Sequence, residues 1–173
     1  MENRTVLCEG KFLRLVKQGH WEFVERTKTT GIVVIVAVTD SGNLLLTEQF
    51  RIPVGGKVIE LPAGLAGDAA EFETEELATA ARRELLEETG YDATQFEPLS
   101  VGPPTAGLSS EVVTLFRARN LRRVANGGGV EGENIVVHEV PLAAVKEWLN
   151  NQAEGGLLID PKVYAGLYFL GKV

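Results

Sequence analysis

Hydrophobic and polar residues alternate in the first part of the chain and then give way to continuous apolar runs. The segment KFLRLVKQGHWEFVERTKT (residues 11–29) alternates like two β-strands, and we predict a β-hairpin that turns near Gly19. GIVVIVAVTDSGNLLLTEQF (residues 31–50) contains a buried strand, a DSGN turn and a second strand. KVIELPAGL (residues 57–65) predicts a further strand, and the acidic, small-residue segment 65–73 predicts a loop.

Helical signals appear in three later segments. We predict a helix over about 74–89, with Thr74 as its N-cap and Gly90 at its C-terminal stop position. A second helix is predicted to begin near Pro141, and Asp160-Pro161 has the composition of a cap and first turn. Many strands around a few helices, without a GxGxxG fingerprint, favour an α/β or α+β sandwich over a Rossmann sheet.

Three glutamates crowd the end of the first predicted helix. With about 100° per residue around a helix, Glu84 and Glu88 fall on or beside the apolar stripe that contains Leu85, and Glu87 lies next to them. A solvated charge run should lie on the opposite side, where Arg82 falls. We therefore expect Glu84 and Glu88 to point toward the body of the protein.

Buried carboxylates this close together need a positive partner. The residues alone leave two interpretations equally open. A hard divalent cation such as Mg²⁺ can bind several carboxylate oxygens. Alternatively, Arg82, Arg83 or a distant lysine can neutralise the glutamates, and for Arg83 we predict a structural ion pair with Glu75 or Glu87.

Composition and charge narrow the class of protein. The 173 residues are 45% hydrophobic and 24% charged, as in an ordinary globular protein, and the net charge of −7 argues against nucleic-acid binding. No apolar run approaches the roughly 20 residues of a membrane helix, and the N-terminus lacks a secretory pattern. Cys8 is the single cysteine, which favours a reducing, cytoplasmic location. His20 and His138 have no partner at zinc-ligand spacing.

The pattern E-x7-R-E-L-x-E-E-x-G-Y, from Glu75 to Tyr91, resembles the Nudix box. That motif is the signature of Mg²⁺-dependent hydrolases of nucleoside diphosphates linked to another group. One departure is visible, because ten residues separate Gly64 from Glu75, five more than in the family pattern. Segment 65–74 therefore looks like the site of a five-residue insertion.

Five further segments resemble ADP-ribose and ADP-sugar pyrophosphatases: EQFRIPVGGKVIELPAG, TAGLSSE, GENIVVHEVPL, GHWEFVERT and DPKVYAGLYFL. The resemblance implies a Nudix-type α/β/α sandwich with a mixed sheet and an N-terminal β-hairpin extension. It divides the chain into an N-terminal region, 1–28, and a Nudix domain, 29–173. It also implies a homodimer in which the N-terminal region of one subunit crosses to the partner's active site.

The resemblance assigns metal ligands to the helix and to the strand before it. Glu84 and Glu88 would be the principal Mg²⁺ ligands, with Glu87 in support and the carbonyl of Ala63 completing one metal. Mn²⁺ is the alternative cation. Glu133 would be a further ligand or the general base, and Glu131 competes with it because the glycine-rich loop leaves the alignment open.

The resemblance also implies substrate contacts. Arg51 and Arg26 would hold the diphosphate or the terminal ribose, although an ordinary surface ion pair is an equal alternative for each. Trp21 would stack on the base, with Phe12 on its other face; packing in the hairpin or at a dimer interface is the alternative. Glu111 is a weaker candidate for a substrate contact.

Glu60 can support another ligand or be a strand-end charge, and we favour the second interpretation.

The expected activity is Mg²⁺-dependent hydrolysis of a nucleoside diphosphate sugar, with ADP-ribose giving AMP and ribose 5-phosphate. GDP-mannose or another nucleotide sugar is the close alternative. A sensor that binds ADP-ribose without cleaving it is a different class of function, and an acidic interaction protein is a third. The intact set of box glutamates speaks against the sensor.

Overall fold

An antiparallel sheet of three short strands forms the N-terminal part of the molecule. The computed structural model describes residues 3–67, 74–130 and 132–172. The sheet contains β1 (Arg4–Glu9), β2 (Leu13–Gln18) and β3 (Trp21–Arg26). β2 and β3 are the predicted hairpin, and Gly19 at its turn has a positive φ of 59°. β1 was not predicted. A strand shows alternating hydrophobic and polar residues in the sequence when one of its faces is buried, but all six residues of β1 are exposed.

Two further four-stranded sheets form the body of the protein. The mixed sheet has the strand order β7-β4-β9-β8, where β4 and β9 are parallel. The second sheet has the order β10-β5-β6-β11, where β11 is parallel to β6 and the other pairs are antiparallel. The strands are β4 (Gly31–Ala37), β5 (Asn43–Arg51), β6 (Gly56–Glu60), β7 (Ala63–Ala66), β8 (Tyr91–Gly102), β9 (Val113–Arg123), β10 (Val136–Pro141) and β11 (Leu158–Ile159).

Three α-helices in the described ranges cover these sheets on two sides. They are α1 (Leu77–Thr89), α2 (Val145–Glu154) and α3 (Pro161–Phe169). None of the helices in the described part of the chain is both long and apolar enough to cross a membrane.

Strand β4 runs between two hydrophobic cores. Val33 and Ile35 face a core shared with α1, whereas Val34 and Val36 face a core that includes residues of α2 and α3. This period-two division of one buried strand produces the helix–sheet–helix layering. The predicted α/β architecture with a mixed sheet is confirmed.

Helix α1 begins at Leu77, so the prediction of Thr74 as its N-cap is wrong. Glu76 occupies the N-cap position, with an extended backbone and no side-chain capping bond. Glu75 accepts two hydrogen bonds from Arg83, at 3.2 Å each, which hold the residues before Leu77 against the side of the helix. The predicted stop at Gly90 is confirmed, and its φ is 76°.

The predicted start of the second helix near Pro141 is also wrong. Pro141 is the last residue of β10, where it pairs with Asn43, and α2 begins four residues later at Val145. A proline can close an edge strand as well as open a helix, because both positions require no N–H donor. The segment 65–73 was predicted to be a loop, but its first two residues complete β7 against Ile32 and Gly31.

The N-terminal sheet is joined to the body by backbone hydrogen bonds. Val24 of β3 donates its N–H to the carbonyl of Leu108 at 2.9 Å, and Ser110 donates to Val24 at 3.1 Å. These bonds place the TAGLSSE segment between the hairpin and the mixed sheet. Residues of the hairpin therefore reach the same side of the molecule as the C-terminal half of α1.

Candidate functional site

A cleft of about 550 Å³ collects most of the predicted site residues. The predicted residues that line it are Arg26, Arg51, Ala63, Glu84, Glu88, Glu111 and Glu133. They come from β3, β5, β7, α1 and two loops, so distant segments of the sequence meet in one place. Glu131 lies outside the described residues.

Glu88 is the most deeply buried acid of the cleft, with 5% of its surface exposed. Its Oε2 atom accepts a hydrogen bond of 3.1 Å from the N–H of Ala63. Burial raises the pKa of Glu88 to about 8, nearby Glu84 and Glu133 raise it further, and the Ala63 N–H and Arg51 oppose the shift. No salt bridge to Glu88 is formed by residues that the structure describes. This carboxylate is thus placed in the interior without an ion-paired cation from the described part of the chain.

Arg83 neutralises the other two glutamates of the helix. Its guanidinium lies 2.8 Å from Glu84 and 3.1 Å from Glu87, and it donates to the carbonyl of Leu65 at 2.9 Å. Burial alone would lower the pKa of Arg83, but its hydrogen bonds and ion pairs with Glu75 and Glu84 raise it above the usual range. The predicted structural role of Arg83 is confirmed. The ion-pair interpretation therefore accounts for Glu84 and Glu87, but it leaves Glu88 unexplained.

Glycine at position 64 makes room for the carboxylate of Glu84. A Cβ atom on Gly64 would lie 1.9 Å from Cδ of Glu84, a distance that atoms cannot adopt. The neighbouring Ala63 bonds Glu88, so two successive residues of β7 contact two glutamates one helical turn apart. The LPAG segment thereby fixes both carboxylates against the strand.

The donor set of the cleft fits a hard divalent cation. Within the described ranges, no three acidic or histidine side chains converge as a preformed metal site, because Arg83 draws Glu84 and Glu87 to itself. Glu88 nevertheless offers a buried carboxylate next to Ala63, whose carbonyl is a second oxygen donor. Carboxylate and carbonyl oxygens are the ligands that Mg²⁺ and Mn²⁺ prefer.

Glu133 lies on the glycine-rich loop at the mouth of the cleft. Its Oε2 atom accepts a hydrogen bond of 3.0 Å from the N–H of Val130, and its own N–H donates to the Val130 carbonyl at 3.0 Å. These reciprocal bonds close a tight turn that presents the carboxylate. Its charge acts on Glu88, which it helps to keep protonated.

Two arginines enter the cleft, each paired with a glutamate. Arg51 donates to Glu60 at 2.7 Å, and Arg26 donates to Glu111 at 2.7 Å. Glu60 is the last residue of β6, as the strand-end interpretation expects, but it is only 8% exposed and lines the cleft, which that interpretation did not include. Because each guanidinium keeps further N–H donors in its fork, both can still bind an anion.

Trp21 and Phe12 line two separate cavities in the described chain. Trp21, with 53% of its surface exposed, borders a cavity of about 380 Å³ together with Gly107 and Ser110. Phe12, 65% exposed, borders a cavity of about 200 Å³ with Lys28. The two residues lie at opposite ends of the β2–β3 hairpin, where Trp21 pairs with Gln18 and Leu13 pairs with Arg26. The structure does not bring them together within one subunit.

Lys162 is a cleft residue that the sequence analysis missed. Asp160 caps α3 by accepting the N–H of Lys162 at 2.7 Å and also pairs with its ammonium group. Asp160 in turn donates its N–H to the carbonyl of Ile59, next to Glu60. The predicted cap at Asp160-Pro161 was the sequence signal for this lysine, because a capping aspartate fixes the position of the residue two places after it in the first turn.

Comparison with known proteins agrees with this geometry. The profile of the NUDIX domain matches residues 28–158. The chain belongs to the Nudix family.

The Nudix relatives include proteins with two different substrate names. The ADP-ribose pyrophosphatase of Bacillus subtilis is 36% identical over 97 residues, which are 56% of this chain and 50% of that protein. This chain therefore spans about half the length of that relative. The GDP-mannose pyrophosphatase of Salmonella arizonae is 29% identical over 148 residues, which are 81% of this chain and 72% of that protein.

A solved structure shows the same fold. The crystal structure of an ADP compounds hydrolase superimposes with a TM-score of 0.70 at 20% identity, covering 99% of this Nudix chain and 95% of the other.

Proposed function

We propose that this Nudix protein hydrolyses the diphosphate of a nucleoside diphosphate sugar in a Mg²⁺-dependent reaction, with ADP-ribose as the leading substrate. The observation that carries the proposal is Glu88, a buried carboxylate without a salt bridge among the described residues, beside the carbonyl-bearing Ala63 in a cleft that also contains arginines. The name of the Bacillus subtilis relative supports ADP-ribose.

The proposed metal ligands are Glu88, Glu84 and the carbonyl of Ala63, with Glu87 in support. When bound, Mg²⁺ or Mn²⁺ neutralises charge on the phosphoryl oxygens and lowers the pKa of the attacking water. Glu88 must lose its proton to become a ligand, which its raised pKa makes dependent on pH. Arg83 orients the carboxylates of Glu84 and Glu87 through its ion pairs with them.

The residues around the metal ligands would carry the remaining steps. Glu133, or Glu131 in its place, accepts a proton from water as the water oxygen attacks one phosphorus of the diphosphate. The bond from that phosphorus to the bridging oxygen breaks, and ADP-ribose gives AMP and ribose 5-phosphate. Arg51, Arg26 and Lys162 bind phosphate oxygens, where the fork of an arginine offers two parallel donors.

The base of the nucleotide is proposed to stack on Trp21 in the neighbouring cavity of about 380 Å³. Phe12 would reach the other face of the base only from a second subunit, because it lines a different cavity in its own. The exposed edge strand β1, with Val6 and Leu7 each more than 40% exposed, supports a homodimer through the N-terminal region 1–28. The Nudix domain proper would be 29–173. The single Cys8 supports the proposed cytoplasmic location.

A second candidate substrate is GDP-mannose. The Salmonella arizonae relative carries that substrate in its name and aligns with 81% of this chain. The catalytic residues would be unchanged, because the scissile diphosphate is the same in both substrates.

Turnover of a substrate panel tests the proposal. ADP-ribose, ADP-glucose and GDP-mannose are incubated with Mg²⁺, and the released phosphomonoesters are measured through a coupled phosphatase. We expect cleavage of ADP-ribose and a loss of about 10³-fold in kcat for Glu88→Gln, since a metal contributes several kcal/mol to transition-state stabilisation. Glu48→Gln is the matched control, because Glu48 is a buried glutamate outside the cleft.

Each alternative outcome has its own meaning. Preference for GDP-mannose would replace the leading substrate and keep the mechanism. Binding of ADP-ribose without turnover in the presence of Mg²⁺ would contradict the enzyme and favour the sensor.

A further inference from the structure

The loop that carries Glu133 contains three successive glycines in unusual backbone conformations. Gly127, Gly128 and Gly129 have φ values of 71°, 107° and 86°, which side-chain-bearing residues rarely adopt. We call residues 127–129 the glycine strap.

The glycine strap is hydrogen bonded to the C-terminal end of α1. Gly128 donates its N–H to the carbonyl of Glu88 at 2.8 Å, and Gly129 donates to the carbonyl of Glu87 at 3.0 Å. The last carbonyls of a helix have no partner within the helix, so these bonds satisfy groups that would otherwise need water. Val124 and Ala125 add N–H bonds to the carbonyl of Gly90, at 2.9 and 3.0 Å.

The contact between the strap and the helix is too close for any side chain. A Cβ atom on Gly127 would lie 2.4 Å from the carbonyl carbon of Thr89, and one on Gly90 would lie 2.3 Å from the carbonyl oxygen of Ala125. Since both obstacles are backbone atoms, neither can move aside cheaply. The loop is therefore seated directly on the end of the helix that bears the proposed metal ligands.

The other side of the strap touches Glu133 itself. A Cβ atom on Gly129 would lie 2.5 Å from Oε2 and 2.8 Å from Cβ of Glu133. The N–H of Ile135, two residues beyond Glu133, donates to the carbonyl of Gly128 at 3.3 Å. One short segment thus contacts the backbone of Glu88 on one side and the carboxylate of Glu133 on the other.

We propose that the glycine strap is a positioning element that holds the Glu133 carboxylate at a fixed place relative to Glu88. This inference rests on the proposed role of Glu133 in the hydrolysis. Both acids are anchored to the same helix end, so their separation is set by backbone hydrogen bonds before substrate arrives. Such preassembly matters because a displacement of about 1 Å in a reacting group can cost about 10²-fold in rate.

Two alanine substitutions with matched backbone strain test the proposal. Gly129→Ala places a methyl group against Glu133. Gly132→Ala introduces a side chain at a similar φ of 94°, but its Cβ meets nothing within 4 Å. Both variants are also made in a Glu133→Ala background, and kcat, KM, melting temperature and the Mg²⁺-induced rise in melting temperature are measured with ADP-ribose as substrate.

We expect Gly129→Ala to lower kcat by about 10- to 10²-fold, with KM and the Mg²⁺-induced stabilisation retained because the metal ligands on α1 are unchanged. Gly132→Ala carries similar positive-φ strain, but its new Cβ meets nothing within 4 Å, so its kcat should stay within about threefold of wild type. In the Glu133→Ala background, Gly129→Ala should cause no further loss, since the two changes act on one group. If Gly129→Ala does not fold, Gly127→Ala replaces it, because its Cβ would lie 2.4 Å from the carbonyl carbon of Thr89 and would push the strap off the helix end. It should again show a larger fall in kcat than Gly132→Ala.

Three outcomes would overturn the inference. Equal losses in Gly129→Ala and Gly132→Ala would assign the effect to backbone strain. An undiminished effect of Gly129→Ala in the Glu133→Ala background would show that the strap acts on another residue. Full activity of Glu133→Ala would refute the proposed base and, with it, the catalytic role of the strap. If the strap proposal alone fails, Glu133→Ala still loses activity, so the two failures can be told apart.

Discussion

Two buried glutamates of this Nudix protein have opposite environments. Glu48 on β5 is 9% exposed, with Lys57 at 2.8 Å and the Nε2 atom of His138 at 3.0 Å. Its hydrogen bond to Lys57 lowers its pKa, and His138 adds to this effect against the opposing effect of burial. Glu88 is 5% exposed, receives one hydrogen bond from Ala63, and has a pKa raised to about 8.

The difference between Glu48 and Glu88 lies in the cations around them. Both side chains are removed from water, but among the described residues only Glu48 forms salt bridges with other side chains. The Glu88 site costs folding free energy unless a ligand supplies the missing positive charge. Such an uncompensated acid in a cleft is the pattern expected of a binding site.

Apart from replacing Glu88 itself, the largest effect should come from filling the space that Glu84 occupies beside Glu88. We expect Gly64→Ala to lower kcat by at least about 10²-fold, because its Cβ would force the Glu84 carboxylate aside by more than 1 Å. Steady-state kinetics with ADP-ribose measure this. Gly102→Ala is the control, since its Cβ meets nothing within 4 Å and should leave kcat near that of wild type.

The next largest effect should be on the stabilisation by Mg²⁺, which should depend on Glu88 and not on Glu48. At a Mg²⁺ concentration of about 100 times Kd, linkage gives roughly 2.7 kcal/mol of stabilisation, which corresponds to a rise of several degrees in melting temperature. We expect this rise in wild type and in Glu48→Gln, and its loss in Glu88→Gln. Thermal unfolding with Mg²⁺ and with EDTA tests it, and an unchanged rise in Glu88→Gln would remove Glu88 from the metal site.

The pH dependence of stability should have opposite signs at the two sites. The pKa of Glu88 rises from 4.5 to about 8 on folding, so the folded protein binds more protons between these pH values. In EDTA, the contribution of Glu88 to the free energy of unfolding should therefore decrease as pH rises from about 5 to about 8. The melting temperature of Glu88→Gln should therefore rise relative to that of wild type as pH increases from about 5 to about 8.

Glu48 provides the contrasting case in the same titration. Its lowered pKa means that its stabilisation is present above 4.5 and is lost as pH falls through the folded-state pKa. The melting-temperature difference between wild type and Glu48→Gln should consequently not grow as pH rises from 5.5 to 8, and it should shrink in more acidic buffer. A Glu48 difference that instead grew toward pH 8 would contradict this assignment.

The smallest effect should come from removing the cation of the compensated site. Lys57 has a side chain that is 59% exposed, so its ion pair with Glu48 is screened by water. We expect Lys57→Met to cost about 0.2–1 kcal/mol in the free energy of unfolding and to leave kcat unchanged. Urea unfolding measures the cost, and a loss of activity would show that the two regions are coupled.

The sequence predicted the features of the site that depend on local periodicity. The helical spacing of Glu84 and Glu88 placed both against the protein body, and the burial of Glu88 confirms the direction. Arg83 was correctly predicted as a structural ion pair, because its partners lie within one or two turns of the same segment.

Features that depend on distant contacts were missed or misjudged. Glu60 was interpreted as a strand-end charge, since nothing near it in sequence shows that Arg51 will lie against it. Lys162 was missed because its place in the cleft follows from the docking of α3 beside β6. Thr74 was a reasonable N-cap by residue type, but the helix begins at Leu77, and Glu75 bonds Arg83 from outside the helix.

The division of the interior by β4 bears on how this protein can be engineered. Val34 and Val36 face the compartment of α2 and α3, and Val33 and Ile35 face that of α1, so the carboxylate-bearing helix has a core of its own. The α2–α3 compartment borders the cleft, because Val34 lines the cleft and α3 brings Lys162 to it. The core residues of α2, Val145 and Leu149, do not line the cleft. Laboratory evolution for heat resistance should therefore draw its tolerated substitutions from the packing around α2, leaving the side of the scaffold that carries Glu84 and Glu88 to be tuned separately.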